Sequence, residues 1–508
     1  MNIASYIDRS VREHPEKIAI RMDNMELTYR AFYQRACSLA QFLLENGIKK
    51  GDKLGVYMSN CPDYLVALYA TWMVAGVAVP INYRFHAEEL QFVIEDSEIK
   101  MLVINVNDIN RLEAMFQKFP NLLLITQGEV KTIPSLEKIY ANKVFSMKTT
   151  PCLDTDDALL MYTSGTTGKP KGVRQTHRTN TASVEMVIDT WQLTSKDHLL
   201  GTFPMFHVGG LQCTTLPVFF TGGTVTLIAR WSAKEWVDLT RKLLPTWTGV
   251  ISTMLVDIVN YAKRNPLEKK WFEPLRFSFF GGSPTPSIIC DYFEENIISP
   301  LYEIYGQTEL SGLMITYSIG DKRRKGAMGQ ARSQVVEAKI VSQDGTRSIL
   351  PGDEESGELF LKGDVVTPGY WKREDLNVER FVGGWIKTGD VVRWDADGYL
   401  YYTDRFDDLI VTGGENVYPK EVENIIAEHP GVAEVAVIGT PHDRWIEQVT
   451  AIIVPIDQSL TKQQIIEHCE NHPNLAGYKK PRRIEIVQEL PKTGSGKLSK
   501  HILKERYS

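Results

Sequence analysis

The sequence is poor in cysteine and has no cysteines at metal-binding spacing. Six Cys are scattered over 508 residues, without a Cys-x-x-Cys pair or a Cys/His cluster. Structural zinc sites and disulfide frameworks need closely spaced or dense cysteines. We therefore expect reduced, mostly buried thiols, which are typical of a cytoplasmic protein.

Excess positive charge and long apolar runs are also missing. The net charge is −6, whereas proteins that bind a nucleic-acid backbone use clustered Lys and Arg. The most apolar run, Tyr64 to Val79, has 16 residues, which is short for a membrane span and predicts a buried helix followed by a strand. The mixed-charge N-terminus does not resemble a signal peptide. We expect no nucleic-acid partner and no transmembrane segment, and peripheral contact with a membrane surface stays open.

An alternation of apolar strands and helical patterns fills most of the chain. Runs such as "MLVIN", "NLLLIT" and "GTVTLIA" alternate with helical periodicity, which predicts α/β architecture with parallel sheets. Past about residue 330, short strands with Gly/Asp turns predict a β-rich subdomain, and a small α+β domain follows. We expect a large N-terminal domain, residues 1–404, with two α/β subdomains and the β-rich subdomain. The small C-terminal domain would be residues 405–508.

The stretch "YTSGTTGKPKGV", residues 162–173, has the composition of a phosphate-binding loop. Backbone N–H groups of Gly-rich turns bind anions, and Ser/Thr hydroxyls add donors. The stretch does not match a P-loop, because Pro170 follows the Gly-Lys pair where a hydroxyl residue is needed. The residues alone leave two interpretations open, a phosphate site and an ordinary polar surface loop.

Three further segments combine residue types that suit a nucleotide. In "YEIYGQTEL", Tyr305 suits base stacking, Thr308 a phosphate, and Glu309 the hard cation Mg²⁺. In "WIKTGD", Asp390 stands beyond a predicted strand and suits a ribose diol, with Arg405 as a second ribose contact. In "LPKTGSGKLSK", Lys497 is placed to bring positive charge to an oxyanion. Each segment alone also fits a solvated loop, a turn or a basic tail.

The four segments, taken together and in this order, resemble the adenylate-forming superfamily. This superfamily includes acyl-CoA synthetases, peptide-synthetase adenylation domains and firefly-type luciferases. The resemblance extends over the whole chain and includes "FPMFHVGG", "FGGSPTP", "GELFLKG" and "TGGENVYPKEVE". It implies a carboxylate that attacks the α-phosphate of ATP to form acyl-AMP and pyrophosphate, and a thiol that then displaces AMP.

The resemblance also implies roles for individual residues. Thr308 would contact the α-phosphate, Glu309 would bind Mg²⁺, and Lys497 would bridge the substrate carboxylate and the α-phosphate. Asp390 and Arg405 would hold the ribose. The mobile C-terminal domain would swing about a hinge at Asp407. The phosphate loop would comprise Thr163, Ser164, Gly165, Thr166, Thr167, Gly168 and Lys171; the adenine site Gly281, Gly282, Ser283, Tyr305 and Gly306; and the coenzyme A face Gly413, Gly414 and Asn416.

The acceptor thiol and the acid are predicted from the segments around these motifs. No carrier domain comes after Lys497, which favours free coenzyme A as the thiol. The acyl pocket is expected at Phe206, His207, Val208, Gly209 and Gly210, with His207 as either an aromatic gate or a structural imidazole. Small residues leave room for a chain, and the segment has no Arg or Lys for a second carboxylate.

We therefore expect an acyl-CoA ligase for a medium- or long-chain fatty acid, and an aryl acid is the alternative. A luciferase-like oxygenase and a non-catalytic nucleotide sensor are further alternatives, and retention of Glu309, Asp407 and Lys497 argues against the sensor. The oligomeric state is expected to be a monomer or a homodimer.

Overall fold

The computed structural model describes residues 2–163, 170–282, 285, 287–298, 300–331, 335–412, 415–473, 475–492 and 498–507. The chain forms two compact units. The first comprises Met1–Glu337 and Lys362–Ile386, and the second comprises Ala338–Leu361 and Lys387–Ser508. The β-rich segment predicted past residue 330 thus contributes to both units. The predicted boundary of a mobile domain at residue 405 stays a prediction.

The strands are β1 Ile18–Met22, β2 Met25–Thr28, β3 Lys53–Tyr57, β4 Val77–Pro80, β5 Met101–Asn105, β6 Leu123–Gln127, β7 Asp157–Thr163, β8 Lys171–Thr176, β9 His198–Gly201, β10 Thr224–Leu227, β11 Trp247–Ile251, β12 Phe277–Gly281, β13 Leu301–Gln307, β14 Gly312–Thr316, β15 Gln330–Ala331, β16 Val336–Val341, β17 Ser348–Ile349, β18 Gly357–Gly363, β19 Gly369–Tyr370, β20 Phe381–Val382, β21 Trp385–Trp394, β22 Leu400–Arg405, β23 Ile410–Thr412, β24 Glu415–Val417, β25 Val432–His442, β26 Ile446–Pro455 and β27 Arg483–Ile486.

The α-helices are α1 Ala4–Glu13, α2 Tyr29–Glu45, α3 Pro62–Met73, α4 Ala87–Ser97, α5 Val106–Phe116, α6 Leu136–Ala141, α7 His177–Trp191, α8 Val208–Gly210, α9 Leu216–Thr221, α10 Ala233–Leu243, α11 Ser252–Arg264, α12 Ser287–Asn296, α13 Glu374–Arg380, α14 Pro419–Ala427, α15 Lys462–Asn471 and α16 Lys500–Tyr507. A π-helix spans Leu211–Thr215, and 3-10 turns span Lys269–Phe272, Thr308–Leu310, Phe406–Asp408 and Gly477–Lys479.

Two sheets organise the first unit. One has the order β15-β14-β13-β12-β11-β9-β10-β1-β2, and the other has the order β19-β8-β7-β4-β3-β5-β6. Their central pairs are parallel, as between β11 and β12 or β3 and β5, and antiparallel pairs such as β7 with β8 lie nearer the edges. Helices connect the parallel strands, so the predicted α/β class is confirmed.

The apolar run Tyr64 to Val79 folds as its length predicts. Its first part belongs to α3, which is buried along its whole length, and its last part belongs to β4. Among the described residues, no helix is both long enough and apolar enough to cross a membrane. A helix that is apolar all round therefore packs inside this unit instead.

The second unit contains a small α+β layer. Its five strands have the order β24-β23-β26-β25, with β27 parallel to β26. Helices α14 and α15 cover this sheet through a core that includes Val422, Ile426 and Ile465. Thr461 caps α15 with a side-chain acceptor for the Gln464 N–H. The small C-terminal α+β domain is thus present as expected.

Candidate active site

The hairpin that carries the Gly/Thr-rich loop is formed by β7 and β8. Thr163 is the last residue of β7 and is paired with Lys171, the first residue of β8. The remaining predicted loop residues, Ser164, Gly165, Thr166, Thr167 and Gly168, lie outside the described residues. The loop therefore connects two antiparallel strands, and Lys171 is fixed at its base.

Thr308 and Glu309 occupy a 3-10 turn directly after β13. Both residues are 7% exposed. The Gln175 side chain donates to the Thr308 carbonyl at 2.9 Å, and the backbone N–H of Thr367 donates to the Glu309 carbonyl at 3.0 Å. Because the backbone carbonyls of both residues accept hydrogen bonds from other segments, the backbone of this turn is held in place.

Gly306 has no room for a side chain, because the backbone at Gly312 passes close to it. A β-carbon at this position would lie 1.9 Å from the carbonyl oxygen of Gly312. No side chain fits at such a distance. Gly306 therefore allows the close approach of β13 and β14 just before Thr308, and its part in the adenine site stays a prediction.

The carboxylate of Glu309 lies beside two groups that the sequence did not identify, the Tyr370 hydroxyl and the Arg380 guanidinium. The hydroxyl of Tyr370 donates to Glu309 Oε1 at 2.7 Å, and Arg380 Nη1 lies 3.6 Å from the same oxygen. The Lys171 ammonium lies 5.8 Å from the centre of the Tyr370 ring. Burial, followed by the charges of Arg380 and Arg373, lowers the pKa of Lys171. The site thus combines a buried carboxylate with the Arg380 guanidinium beside it and the Lys171 ammonium near the same tyrosine, and these two cations suit a polyanion.

The donor set fits Mg²⁺ that is shared with a substrate. Mg²⁺ is usually bound by one or two carboxylates together with substrate phosphates, and keeps several waters. Glu309 and the Thr308 hydroxyl are hard oxygen donors of this kind. Among the described residues, no group of three His, Cys, Asp or Glu is arranged to hold a metal alone. The residues present therefore favour a metal that arrives with its phosphate ligand.

The predicted adenine residues lie at the ends of two neighbouring strands. Gly281 ends β12 and is in register with Ile304 of the parallel β13, next to Tyr305. Gly282 follows with φ of 89°, a conformation that favours glycine. Ligands bind at the carboxyl ends of strands in open α/β sheets, and this is where Tyr305 lies. Ser283 lies outside the described residues.

The predicted acyl-pocket segment forms a tight turn into a π-helix. Phe206 is 9% exposed and contacts the ring of Tyr83 edge to face, with centroids 5.9 Å apart. Val208 is buried at the start of α8. His207 Nδ1 accepts the Gly209 N–H at 3.2 Å. One ring nitrogen of His207 therefore caps this helical turn, which supports the structural alternative for this residue.

Gly209 and Gly210 differ in the space that is available for a side chain. A β-carbon on Gly210 would lie 2.2 Å from the carbonyl oxygen of Pro204. A β-carbon on Gly209 would meet only His207 Nδ1, at 3.4 Å. The small size of Gly210 is thus required by the backbone, whereas Gly209 borders open space. The role of both glycines in leaving room for a chain stays a prediction.

A buried chain of amides connects this segment to the turn at Thr308. Gln212 Nε2 donates to Gln175 Oε1 at 2.6 Å and to Asn180 Oδ1 at 2.9 Å, and Gln175 in turn donates to Thr308. All three amide residues are fully buried. In the sequence, Gln212 is an amide residue within the largely apolar run "LQCTTLPVFF". This placement is the local signal that could have pointed to the network.

The predicted ribose residues belong to the second unit. Asp390 and Arg405 are directly opposite each other on β21 and β22, and Arg405 Nη1 donates to Asp390 Oδ1 at 2.7 Å. The prediction that Asp390 stands beyond a strand was wrong, because β21 continues to Trp394. Asp390 is held inside the strand, 3% exposed, and its partner comes from the neighbouring strand.

Other predicted residues of this unit are described in part or not at all. Asp407 lies in the 3-10 turn Phe406–Asp408 and Asn416 lies in β24, and their side chains are outside the described part of the chain. Gly413, Gly414 and Lys497 lie outside the described residues. Their assigned roles stay predictions.

Comparison with known proteins identifies the family. The model of the AMP-binding enzyme family matches residues 7–371, and that of the AMP-binding enzyme C-terminal domain matches residues 421–497. The chain is 33% identical to a 2-succinylbenzoate–CoA ligase of Bacillus cereus over 497 residues, 97% of this chain and 96% of the relative. It is 32% identical to the long-chain-fatty-acid–CoA ligase FadD13 of Mycobacterium tuberculosis, over 96% of this chain and 94% of the relative.

A solved structure gives the same result for the fold. The ATP-bound protein MatB from Rhodopseudomonas palustris superposes with a TM-score of 0.90 at 27% identity, covering 100% of this chain and 99% of that one. The match includes the large N-terminal and small C-terminal parts that the sequence predicted. The chain therefore belongs to the AMP-binding enzyme family, within the adenylate-forming superfamily that its four motifs indicate.

Proposed function

We propose that this protein is an ATP-dependent carboxylic acid–CoA ligase that forms an acyl-adenylate and then a thioester with coenzyme A. The observation that carries the proposal is the turn at Thr308 and Glu309, where a buried carboxylate lies among Lys171, Arg380 and Tyr370. The predicted class, an acid–thiol ligase using ATP and coenzyme A, agrees with the CoA ligases among its relatives.

The chemistry proposed for this site is mainly positioning and charge stabilisation. A carboxylate and the α-phosphate repel each other, so the reaction needs positive charge and fixed geometry more than covalent help. Glu309 would hold Mg²⁺, which screens the phosphate charges when it is bound. Thr308 would orient the α-phosphate, and Lys497 would stand between the two anions. In the second unit, Asp390 and Arg405 would bind the ribose hydroxyls.

We further propose that Asp407 is the hinge about which the C-terminal domain changes place between the half-reactions. Gly413, Gly414 and Asn416 would then form the face that admits coenzyme A. The six free cysteines support a reducing, cytoplasmic location, because such thiols persist where glutathione and thioredoxin keep them reduced. A monomer or a homodimer would serve this chemistry equally well.

For the acid, we propose a medium- or long-chain fatty acid. The support is the open space at Gly209 and the aromatic contact of Phe206 with Tyr83. The 2-succinylbenzoate–CoA ligase among the relatives makes an aryl acid the second candidate.

Pyrophosphate release across a panel of acids, with and without coenzyme A, tests this proposal. The panel contains decanoate, palmitate, benzoate and 2-succinylbenzoate, and thioester formation is followed by mass spectrometry. We expect release to depend on the acid, and thioester to form with the fatty acids once coenzyme A is present. Acid-dependent release without any thioester would contradict the ligase assignment, and turnover of the aryl acids alone would contradict the fatty-acid assignment.

A further inference from the structure

Arg380 is the last residue of α13 and lies beside the end of β13. Its Nη2 donates to Gln307 Oε1 at 2.9 Å, and its Nη1 lies 3.6 Å from Glu309 Oε1. The guanidinium also lies 5.9 Å from the centre of the Tyr370 ring. Its side chain is 24% exposed. Arg380 is therefore positioned by the Gln307 amide and the Tyr370 ring, close to the Glu309 carboxylate.

The charges around Arg380 are arranged for an anion. Lys171 lies against the same Tyr370 ring, and Glu309 is the carboxylate that both cations approach. A third cation, Arg373, is already bound by Asp375, with two hydrogen bonds of 3.0 and 2.8 Å. Two cations thus lie 5.8 and 5.9 Å from the centre of the Tyr370 ring, whose hydroxyl donates to the Glu309 carboxylate, and this concentration of positive charge suits a polyanion.

We propose that Arg380 is a phosphate-binding residue, whose guanidinium contacts the phosphates of ATP beyond the α-phosphate and the pyrophosphate product. This inference rests on the proposed function. A guanidinium presents parallel N–H donors that match two phosphate oxygens, and such charge-assisted pairs are among the stronger hydrogen bonds. Lys171 supplies a point charge on the same side. AMP has only the α-phosphate, so Arg380 distinguishes ATP and pyrophosphate from AMP.

Equilibrium binding by calorimetry tests the proposal without acid or coenzyme A. ATP, pyrophosphate and AMP are titrated in the presence of Mg²⁺ into wild type, Arg380→Ala, Arg380→Lys and Arg373→Ala. We expect Arg380→Ala to weaken ATP and pyrophosphate binding by about tenfold, the loss of one charge-assisted pair, and to leave AMP binding unchanged. Arg380→Lys should lose less affinity than Arg380→Ala, because lysine keeps the positive charge but lacks the parallel N–H donors of a guanidinium.

Arg373→Ala is the matched control, since it removes the same charge from the same segment at a guanidinium already bound by Asp375. We expect its effect on all three ligands to stay within about twofold. An equal loss of AMP affinity in Arg380→Ala would overturn the proposal, because Arg380 would then act through the turn at Glu309. Unchanged pyrophosphate binding, or an equal loss in Arg373→Ala, would also overturn it.

Melting temperatures show whether each variant is folded. If Arg380→Ala does not fold, Arg380→Lys carries the comparison of ATP with AMP. Because these titrations contain no acid, they are independent of thioester formation. A protein that forms no thioester but shows the ATP-selective loss would therefore contradict the proposed function and leave the role of Arg380 intact.

Discussion

A buried ion pair in the second unit allows the free-energy cost of leaving a buried charge without its partner to be measured. Lys500 Nζ lies 2.8 Å from Glu423 Oε1, and Glu423 is 4% exposed. The same carboxylate accepts the Val437 N–H at 2.9 Å and lies 3.3 Å from Lys420 Nζ. Burial opposes the charge of Lys500, yet Glu423, Asp404 and Asp408 together raise its pKa. The pair is thus charged in the folded protein.

Lys500→Met should leave Glu423 buried with a weaker partner. Removing one member of a buried pair typically costs about 3–5 kcal/mol, because the other charge stays desolvated. Lys420 remains 3.3 Å from the carboxylate, so we expect the lower end of this range, about 3 kcal/mol. Adding Glu423→Gln should restore part of the stability, because a neutral amide costs less to bury than an unpaired carboxylate.

Urea denaturation of wild type, the two single variants and the double variant gives the coupling energy. The control is Lys462→Met, which breaks an exposed pair with Glu485, 2.9 Å long, in the same unit. Exposed pairs contribute up to about 1 kcal/mol, so this control should lose little. If Lys500→Met costs no more than Lys462→Met, or if the two single losses simply add, the reasoning from burial is wrong.

Three further predictions concern pH, the acyl segment and the half-reactions. Burial lowers the pKa of His177 and of His198 to about 4. Below about pH 6.5 the unfolded chain therefore binds more protons than the folded protein. The stabilisation from the two neutral imidazoles is fully present above that pH and is lost as the pH falls towards 4. For His177 alone, the loss between pH 7 and pH 5 should be about 2 kcal/mol in urea titrations, and His177→Gln should show a flatter pH dependence. Gly209→Trp should shift the preferred acid to shorter chains in the pyrophosphate assay. Gly210→Ala should lower the melting temperature, because its β-carbon would meet the Pro204 carbonyl. A chain-length shift in Gly210→Ala and a lower melting temperature in Gly209→Trp would show that Gly210, and not Gly209, borders the acyl chain. Lys497→Ala should abolish pyrophosphate release but keep thioester formation from supplied acyl-AMP, and equal loss of both would refute its role in adenylation.

The sequence predicted elements well where the pattern is local. The 16-residue run Tyr64 to Val79 is too short for a span and ends at Pro80, and it folds into α3 and β4 as expected. The prediction that Asp390 stands beyond a strand was wrong, because β21 continues through Gly389 and Asp390 to Trp394. Gly389 lies within β21 with a φ of 70°, a left-handed conformation that favours glycine.

The order of the four motifs carried the resemblance that implied the reaction class of this protein, and the side-chain chemistry of each motif suited the role that the resemblance implied. Both are local properties of the chain, and they carry that information without a fold. The groups that surround Glu309, in contrast, became known only from the packing of the chain. Tyr370 is 61 residues from Glu309, and Arg380 is 73 residues from Gln307. Such pairs form because sheet packing brings distant segments together, and neither spacing nor periodicity encodes that distance.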